Sequence, residues 1–146
     1  MQRNVLLAYD ATASGHLSLL QAVDPGSWPG ARIELLAVIV PPTTLSAEPD
    51  FAGLDALSDA AQAAHARVVL DAQVERLRSQ GFDAHGTLVR GTAVQAIIDG
   101  VRATKADLLV IGHARGRSWL DRWWRGCLTK ALLDRAPCDV LVVMTN

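Results

Sequence analysis

Five apolar runs, separated by helix-forming segments, are the feature that most constrains the fold of this chain. The first run is continuously apolar rather than alternating, which is typical of a strand covered on both faces, and the second, fourth and fifth are also largely apolar. The third is more polar and predicts a strand near a sheet edge. The runs are Val5–Tyr9, Ile33–Val40, Phe82–Val89, Leu108–Ile111 and Asp139–Met144.

Helical segments lie between the runs. The longest is rich in Ala, Gln, Arg and Leu, which favour helices, and its apolar residues recur at helical spacing. The predicted helices are His16–Val23, Leu54–Gln80, Ala93–Ala103 and Cys127–Arg135. Strict alternation of strand and helix predicts an α/β domain, residues 1–146, with a parallel sheet and helices on both faces.

The composition excludes several broad classes of protein. The chain has 146 residues, half of them hydrophobic and a fifth charged, which fits one globular domain. The formal net charge of −1 gives no general attraction to nucleic acid or membranes. The N-terminal apolar run is too short for a signal peptide or membrane span, so a cytoplasmic location is expected.

A glycine-containing, basic stretch follows the fourth run. Residues 112–135 carry a net charge of +4, which leaves −5 for the remainder. Gly116 and Gly126 would let backbone N–H groups approach an anion, and the start of the last helix suits phosphate. The alternatives are that the glycines only make turns and that the charges form a solvated face.

Two side chains that could belong to the same site, those of Asp10 and Cys127, have two interpretations each. Asp10 ends the first run and could accept hydrogen bonds from a ribose or order the following loop. Cys127 could be a reactive thiol at a helix start or a small space-filling residue. Cys138 precedes a buried strand and is expected to be inert. Thr129, with Lys130, could add a hydroxyl and a positive charge.

Other residues with potential chemistry form no recognisable site. Trp119, Trp123 and Trp124 could cover a base, contact a partner subunit or fill a local core. His113 is expected in the loop after the fourth strand. The histidines and cysteines lack metal-ligand spacing, and no nucleophile–base set is evident, so neither a catalytic nor a metal residue is assigned.

Four segments together resemble the universal stress protein family over the whole chain. They are residues 5–10 (VLLAYD), 89–91 (VRG), 107–112 (DLLVIG) and 136–143 (APCDVLVV). The resemblance implies a Rossmann-like sheet of five parallel strands in the order 3-2-1-4-5. It also implies a homodimer, often formed by pairing of the last strands, and binding of ATP, with Mg²⁺ as an accompanying ion.

The ATP motif of that family is Gly, two residues, Gly, nine residues, then Gly and Ser or Thr. Here nine residues separate Gly116 from Gly126, but three separate Gly112 from Gly116, and Cys127 replaces the hydroxyl residue. By resemblance, Asp10 holds the ribose and the Val38 backbone meets adenine. The nucleotide-binding set implied is Asp10, Val38, Gly112, Arg115, Gly116, Gly126, Cys127 and Thr129.

Two hypotheses about function follow. The first is a stress-response homodimer that binds ATP with little or no turnover. The second is a dimeric interaction module of the same family that binds no nucleotide, which the altered glycine spacing and Cys127 would favour. At most weak ATP hydrolysis is expected, because no catalytic base is apparent in the sequence.

Overall fold

The computed structural model describes residues 3–11, 24–39, 52–114 and 127–145. The described elements are β1 (Asn4–Asp10), β2 (Arg32–Ile39), α1 (Ala52–Ser79), β3 (Asp83–Arg90), α2 (Ala93–Thr104), β4 (Leu108–Ala114), α3 (Cys127–Arg135) and β5 (Asp139–Thr145). A short 3₁₀ helix, Pro25–Ser27, lies in the segment before β2. The helix predicted at 16–23 lies outside the described residues.

The strands form one parallel sheet in the order β3-β2-β1-β4-β5, which confirms the expected fold and strand order. β1 is central, with β2 on one side and β4 on the other. Along the chain, β2 and β3 are therefore added on one side of β1, and β4 and β5 are then added on the other side. Right-handed crossovers place α1 on one face and both α2 and α3 on the other.

The face covered by α1 is packed closely. Ala66, Leu70, Val74 and Leu77 lie on the predicted apolar stripe and are buried. Gly86 of β3 permits this contact, since a Cβ there would lie 2.8 Å from Val74 Cγ2. Helix α1 begins at Ala52, two residues before the predicted start, and ends at Ser79; Gly81, just after the helix, has a φ of +91°, which suits glycine.

The opposite face forms a second core. Ile97, Ile98 and Val101 of α2 are almost completely buried, as the helical spacing predicted. Leu132 of α3 joins the same cluster at 0% exposure. Burial of each such side chain contributes about 1.5–3 kcal/mol, so these contacts hold both helices against the sheet.

β4 is longer than predicted, and this corrects two expectations. Gly112 pairs with Val143 and His113 with Met144, so Gly112 does not close the strand and His113 does not lie in a loop. The prediction that the strand ends at Ile111 is therefore wrong. Apolar patterning ends at Ile111, but the neighbouring strand β5 continues, and its backbone extends the ladder to Ala114.

The starts of β1 and β4 are held together by Asn4 and Asp107. The Asp107 carboxylate accepts a hydrogen bond from Asn4 N at 2.8 Å, and Asp107 N donates to the Asn4 carbonyl at 2.8 Å. The Asn4 side-chain amide also donates to the carbonyl of Thr104 at 3.1 Å. These contacts fix the relative register of the two strands whose opposite ends border the candidate site.

Candidate nucleotide site

The carboxyl ends of the strands meet at one edge of the sheet. Because β1 and β4 pair directly, the ends of these strands lie side by side. The strand order changes direction between them, since β1 leads outward to β2 and β4 leads to β5. In open parallel sheets such a switch point is where ligands bind.

Val38 supplies main-chain polar groups at this edge. Its side chain is completely buried, and it lies opposite Asp10 in the β1–β2 register. The Val38 carbonyl accepts a hydrogen bond from Ala11 N at 2.9 Å. A carbonyl oxygen has two lone pairs, so one remains for a ligand donor. The role of the Ala11 N–H was not foreseen, because an alanine N–H carries no signal in a sequence.

Helix α3 begins at Cys127, so Cys127 and Thr129 both lie in its first turn, as predicted. The chain leaves β4 at the carboxyl edge and enters β5 at the amino edge. The connection must return across the sheet face, and the first turn of α3 therefore points toward the carboxyl edge. Backbone N–H groups of a first helical turn have no acceptor within the helix and carry partial positive charge.

A polar contact between helices holds the end of α3 beside α2. Arg135 Nη2 donates to Gln95 Oε1 at 3.3 Å, and Gln95 Nε2 donates to Asp99 Oδ1 at 2.7 Å. Leu132, buried one helical turn before Ala136, packs on the sheet beneath. These residues were missed as positioning residues, although the four-residue spacing of Gln95 and Asp99 was a readable signal.

The remaining predicted site residues are not all part of the described structure. The structure gives Gly112 a place in β4, opposite Val143. Arg115, Gly116 and Gly126 lie outside the described residues, as does the tryptophan group of Trp119, Trp123 and Trp124. The described part of the site thus consists of strand ends and the first turn of α3.

Cys138 lies partly buried just before β5. Burial raises the pKa of its thiol, and this effect outweighs the lowering by a hydrogen bond with the Leu109 backbone. A raised pKa keeps the thiol protonated and unreactive near neutral pH. This agrees with the expectation that Cys138 is structural.

The fold and the site define the chain as a Rossmann-like α/β protein with a candidate anion site at its switch point. The family model of the universal stress protein family matches residues 1–144. The chain therefore belongs to the universal stress protein family. A comparison with curated proteins found no match by sequence.

Solved structures share the fold at low sequence identity. The universal stress protein UspA from Lactobacillus plantarum is 22% identical with a TM-score of 0.71, and the match covers 97% of each chain. An Arabidopsis thaliana family protein with AMP bound is 18% identical with a TM-score of 0.60, covering 99% of this chain and 92% of that one.

A third similar structure is the universal stress protein from Archaeoglobus fulgidus in complex with dAMP. It is 16% identical with a TM-score of 0.55, and the match covers 97% of each chain. Identities this low support the fold alone. Within the described ranges, no helix combines the length and apolarity needed to cross a membrane.

Proposed function

We propose that this protein is a cytoplasmic stress-response protein that binds ATP, with Mg²⁺, as a homodimer and with little or no hydrolysis. The observation that carries the proposal is the meeting of strand ends and a helix start at the switch point. Val38 presents backbone polar groups there, next to the end of β1. The AMP and dAMP bound to two structurally similar proteins support an adenine nucleotide as the class of ligand.

Each part of the nucleotide has a partner in the proposal. The Asp10 carboxylate accepts hydrogen bonds from ribose hydroxyls, and the Val38 backbone meets the edge of adenine. The phosphates lie at the first turn of α3, where free N–H groups and the helix dipole favour negative charge. Cys127 and Thr129 belong to that turn and are proposed phosphate neighbours.

The segment between β4 and α3 completes the proposed site. Gly112 lies within β4, which leads to this segment, and Gly116 and Gly126 would let the backbone close around the phosphates. Arg115 supplies positive charge for the phosphates, and its guanidinium suits bidentate contacts with phosphate oxygens. Mg²⁺ would offset part of the remaining phosphate charge.

Calorimetric titration with ATP, ADP and AMP tests the proposal directly. We expect binding that Asp10→Ala weakens by about tenfold or more, since hydrogen bonds to charged groups contribute about 1.5–3 kcal/mol. Asp71→Ala is the matched control, because Asp71 is an exposed carboxylate on α1, 3.9 Å from Arg67. If the folded protein gave no heat of binding with any of the three nucleotides at millimolar concentration, the proposal would be wrong.

The two sheet edges differ in a way that supports the proposed dimer. β5 is apolar from Val140 to Val143, and its Leu141 side chain is 41% exposed. β3, at the other edge, carries Asp83 and His85, whose Oδ1 and Nε2 atoms are hydrogen-bonded at 2.7 Å. Charged side chains discourage edge-to-edge pairing, whereas an apolar edge favours it. We therefore propose that β5 pairs with β5 of a second copy.

Light scattering on Leu141→Lys tests this interface. We expect the molar mass to fall from two chains to one, because a charged side chain on an edge strand disfavours edge-to-edge pairing. Leu133→Lys is the control, since Leu133 is also exposed, at 57%, but lies on α3. Equal masses for both variants and the unchanged protein would argue against pairing through β5.

The nucleotide-free interaction module remains the second candidate function. The specific observation in its favour is the sequence itself, which has a three-residue gap after Gly112 and Cys127 in place of Ser or Thr. A thiol is a weak hydrogen-bond donor compared with a hydroxyl. This candidate predicts a dimer that gives no heat with ATP, so the two experiments together separate the alternatives.

A further inference from the structure

A groove lies between α2 and the outer strands β2 and β3, on the sheet face opposite α1. Its volume is about 420 Å³. The floor is formed by apolar side chains, and the helix wall by small residues. These are Leu6, Leu36 and Val89 on the floor and Ala96, Gly100 and Ala103 on the wall. The groove runs along α2 and is separate from the switch point between β1 and β4.

The small residues of the helix wall explain why the groove is open. Ala96, Gly100 and Ala103 follow helical spacing, so one side of α2 has no long side chain to fill the gap. Gly100 also brings the helix close to the sheet, since a Cβ there would lie 2.9 Å from Leu36 Cδ2. The volume falls in the range of small-molecule pockets, which are mostly apolar with few polar groups.

Glu34 gives this apolar groove a negative charge. It is half-buried on β2, opposite Leu6 of β1 in the sheet register. One carboxylate oxygen accepts a hydrogen bond from the Thr87 hydroxyl at 3.1 Å. A carboxylate has further lone pairs available on both oxygens. A half-buried carboxylate beside apolar walls can pair with a cationic group.

Other charges near the groove reinforce this polarity. Asp99 lines the helix wall and accepts a hydrogen bond from Gln95 at 2.7 Å. In the part of the chain that the structure describes, no basic group forms an ion pair with Glu34 or Asp99. Arg90 also lines the groove, five residues along β3 from the position opposite Glu34. At the usual rise per residue, this separates the two backbone positions by roughly 16 Å.

The neighbours of Glu34 on the sheet surface do not cancel its charge. His85 lies opposite Glu34 in the β2–β3 register, but its ring is hydrogen-bonded to Asp83 at 2.7 Å. Arg32, two residues before Glu34 on the same face of β2, lies opposite Asp83 in the β2–β3 register. Glu34 is thus the charged residue that lines this end of the groove, and the middle is apolar.

We propose that this groove is a second binding site, for a small organic cation with an apolar body. The protonated amine lies against the Glu34 carboxylate, and the apolar part covers Leu36 and Val89. A ligand of this class matches both the volume and the separation of charge from apolar surface. The site is independent of the nucleotide proposed at the switch point.

Three probes of similar size test the charge requirement. They are phenethylamine, its neutral analogue 2-phenylethanol and the anion 3-phenylpropionate, titrated into ¹⁵N-labelled protein. We expect the amine to shift backbone amide signals of Leu36, Val89 and Ala96 and to bind about tenfold more tightly than either analogue, because only it pairs with the carboxylate. Equal affinities for all three probes would overturn the proposal.

Two carboxylate variants locate the site. Glu34→Gln should weaken phenethylamine binding about tenfold and leave 2-phenylethanol unchanged. Glu75→Gln is the matched control, since Glu75 is exposed on α1 across the sheet. Equal affinity of both variants, or no groove shifts at high amine concentration, would refute the site. ATP titration of Glu34→Gln should match the unchanged protein, which separates this test from that of the nucleotide.

Discussion

Val38 and Asp10 occupy the same register position near the carboxyl ends of the neighbouring strands β2 and β1. The Val38 carbonyl accepts the Ala11 N–H at 2.9 Å, so the ladder continues one residue past Asp10. Any adenine amine that donates to this carbonyl must share it with Ala11. The proposed adenine contact is therefore possible without breaking the sheet, because the second lone pair is available.

The Cys127→Ser variant should bind ATP more tightly. A hydroxyl donates a stronger hydrogen bond than a thiol, and the net gain of one hydrogen bond is about 0.5–1.5 kcal/mol, or roughly twofold to tenfold in affinity. Calorimetry with ATP provides the measurement. Cys138→Ser is the control, because Cys138 precedes β5 and is not in α3. An equal or lower affinity for Cys127→Ser would contradict the assigned role of this position.

Two adjacent leucines of α3 should differ sharply in their importance for stability. Leu132 is 0% exposed and Leu133 is 57% exposed. Leu132→Ala should lower the free energy of unfolding by about 2–5 kcal/mol, because it leaves a cavity in the core. Leu133→Ala should change it by less than about 0.5 kcal/mol. Urea denaturation of the two variants measures these free energies. Similar losses of stability would show that α3 does not pack on the sheet through Leu132.

Gly86→Ala should destabilise the protein through a steric contact with α1. The added Cβ would lie 2.8 Å from Val74 Cγ2, and overpacking of this kind costs about 1–3 kcal/mol. Adding Val74→Ala removes the methyl group, so the double variant should lose less stability than the sum of the single changes. Denaturation of all three variants measures this coupling. Additive losses would mean that the two residues do not touch.

Tyr9 should make stability fall at alkaline pH. It is 3% exposed, and burial raises its pKa from 10.0 to about 12. Because the folded state holds the Tyr9 proton more tightly than the unfolded state, the contribution of protonated Tyr9 to stability is complete below pH 10. The effect is lost as pH rises from 10 toward 12, by on the order of 2–3 kcal/mol.

The measurement for Tyr9 is direct because it is the only tyrosine in the chain. Phenolate absorbance of the native protein should appear well above pH 10, whereas urea-unfolded protein should titrate near 10. The Tyr9→Phe variant should lose this part of the pH dependence of stability. Native absorbance that rises near pH 10 would show that the phenol is accessible to water.

The candidate site was only partly predictable from the sequence. Asp10 was proposed because it follows an apolar run, Val38 only through the family resemblance, and Cys127 because the last helix was predicted to begin there. The hydrogen bonds that hold the neighbouring strand ends and helix α3 in place were not predicted. Ala11 acts through its backbone, and Gln95 contacts Arg135, which is 40 positions away in the chain. Main-chain groups and distant pairs leave no local pattern in a sequence.

The sequence by itself determined the α/β class, because the spacing of apolar residues decides which backbone pattern can bury them. It also determined which faces of α1 and α2 are buried. Tertiary structure alone decided that β4 continues through Gly112 and His113, since a neighbouring backbone, not apolarity, pairs those residues. It also decided that Glu34 faces an open groove, because the groove forms only when α2 packs beside β2 and β3.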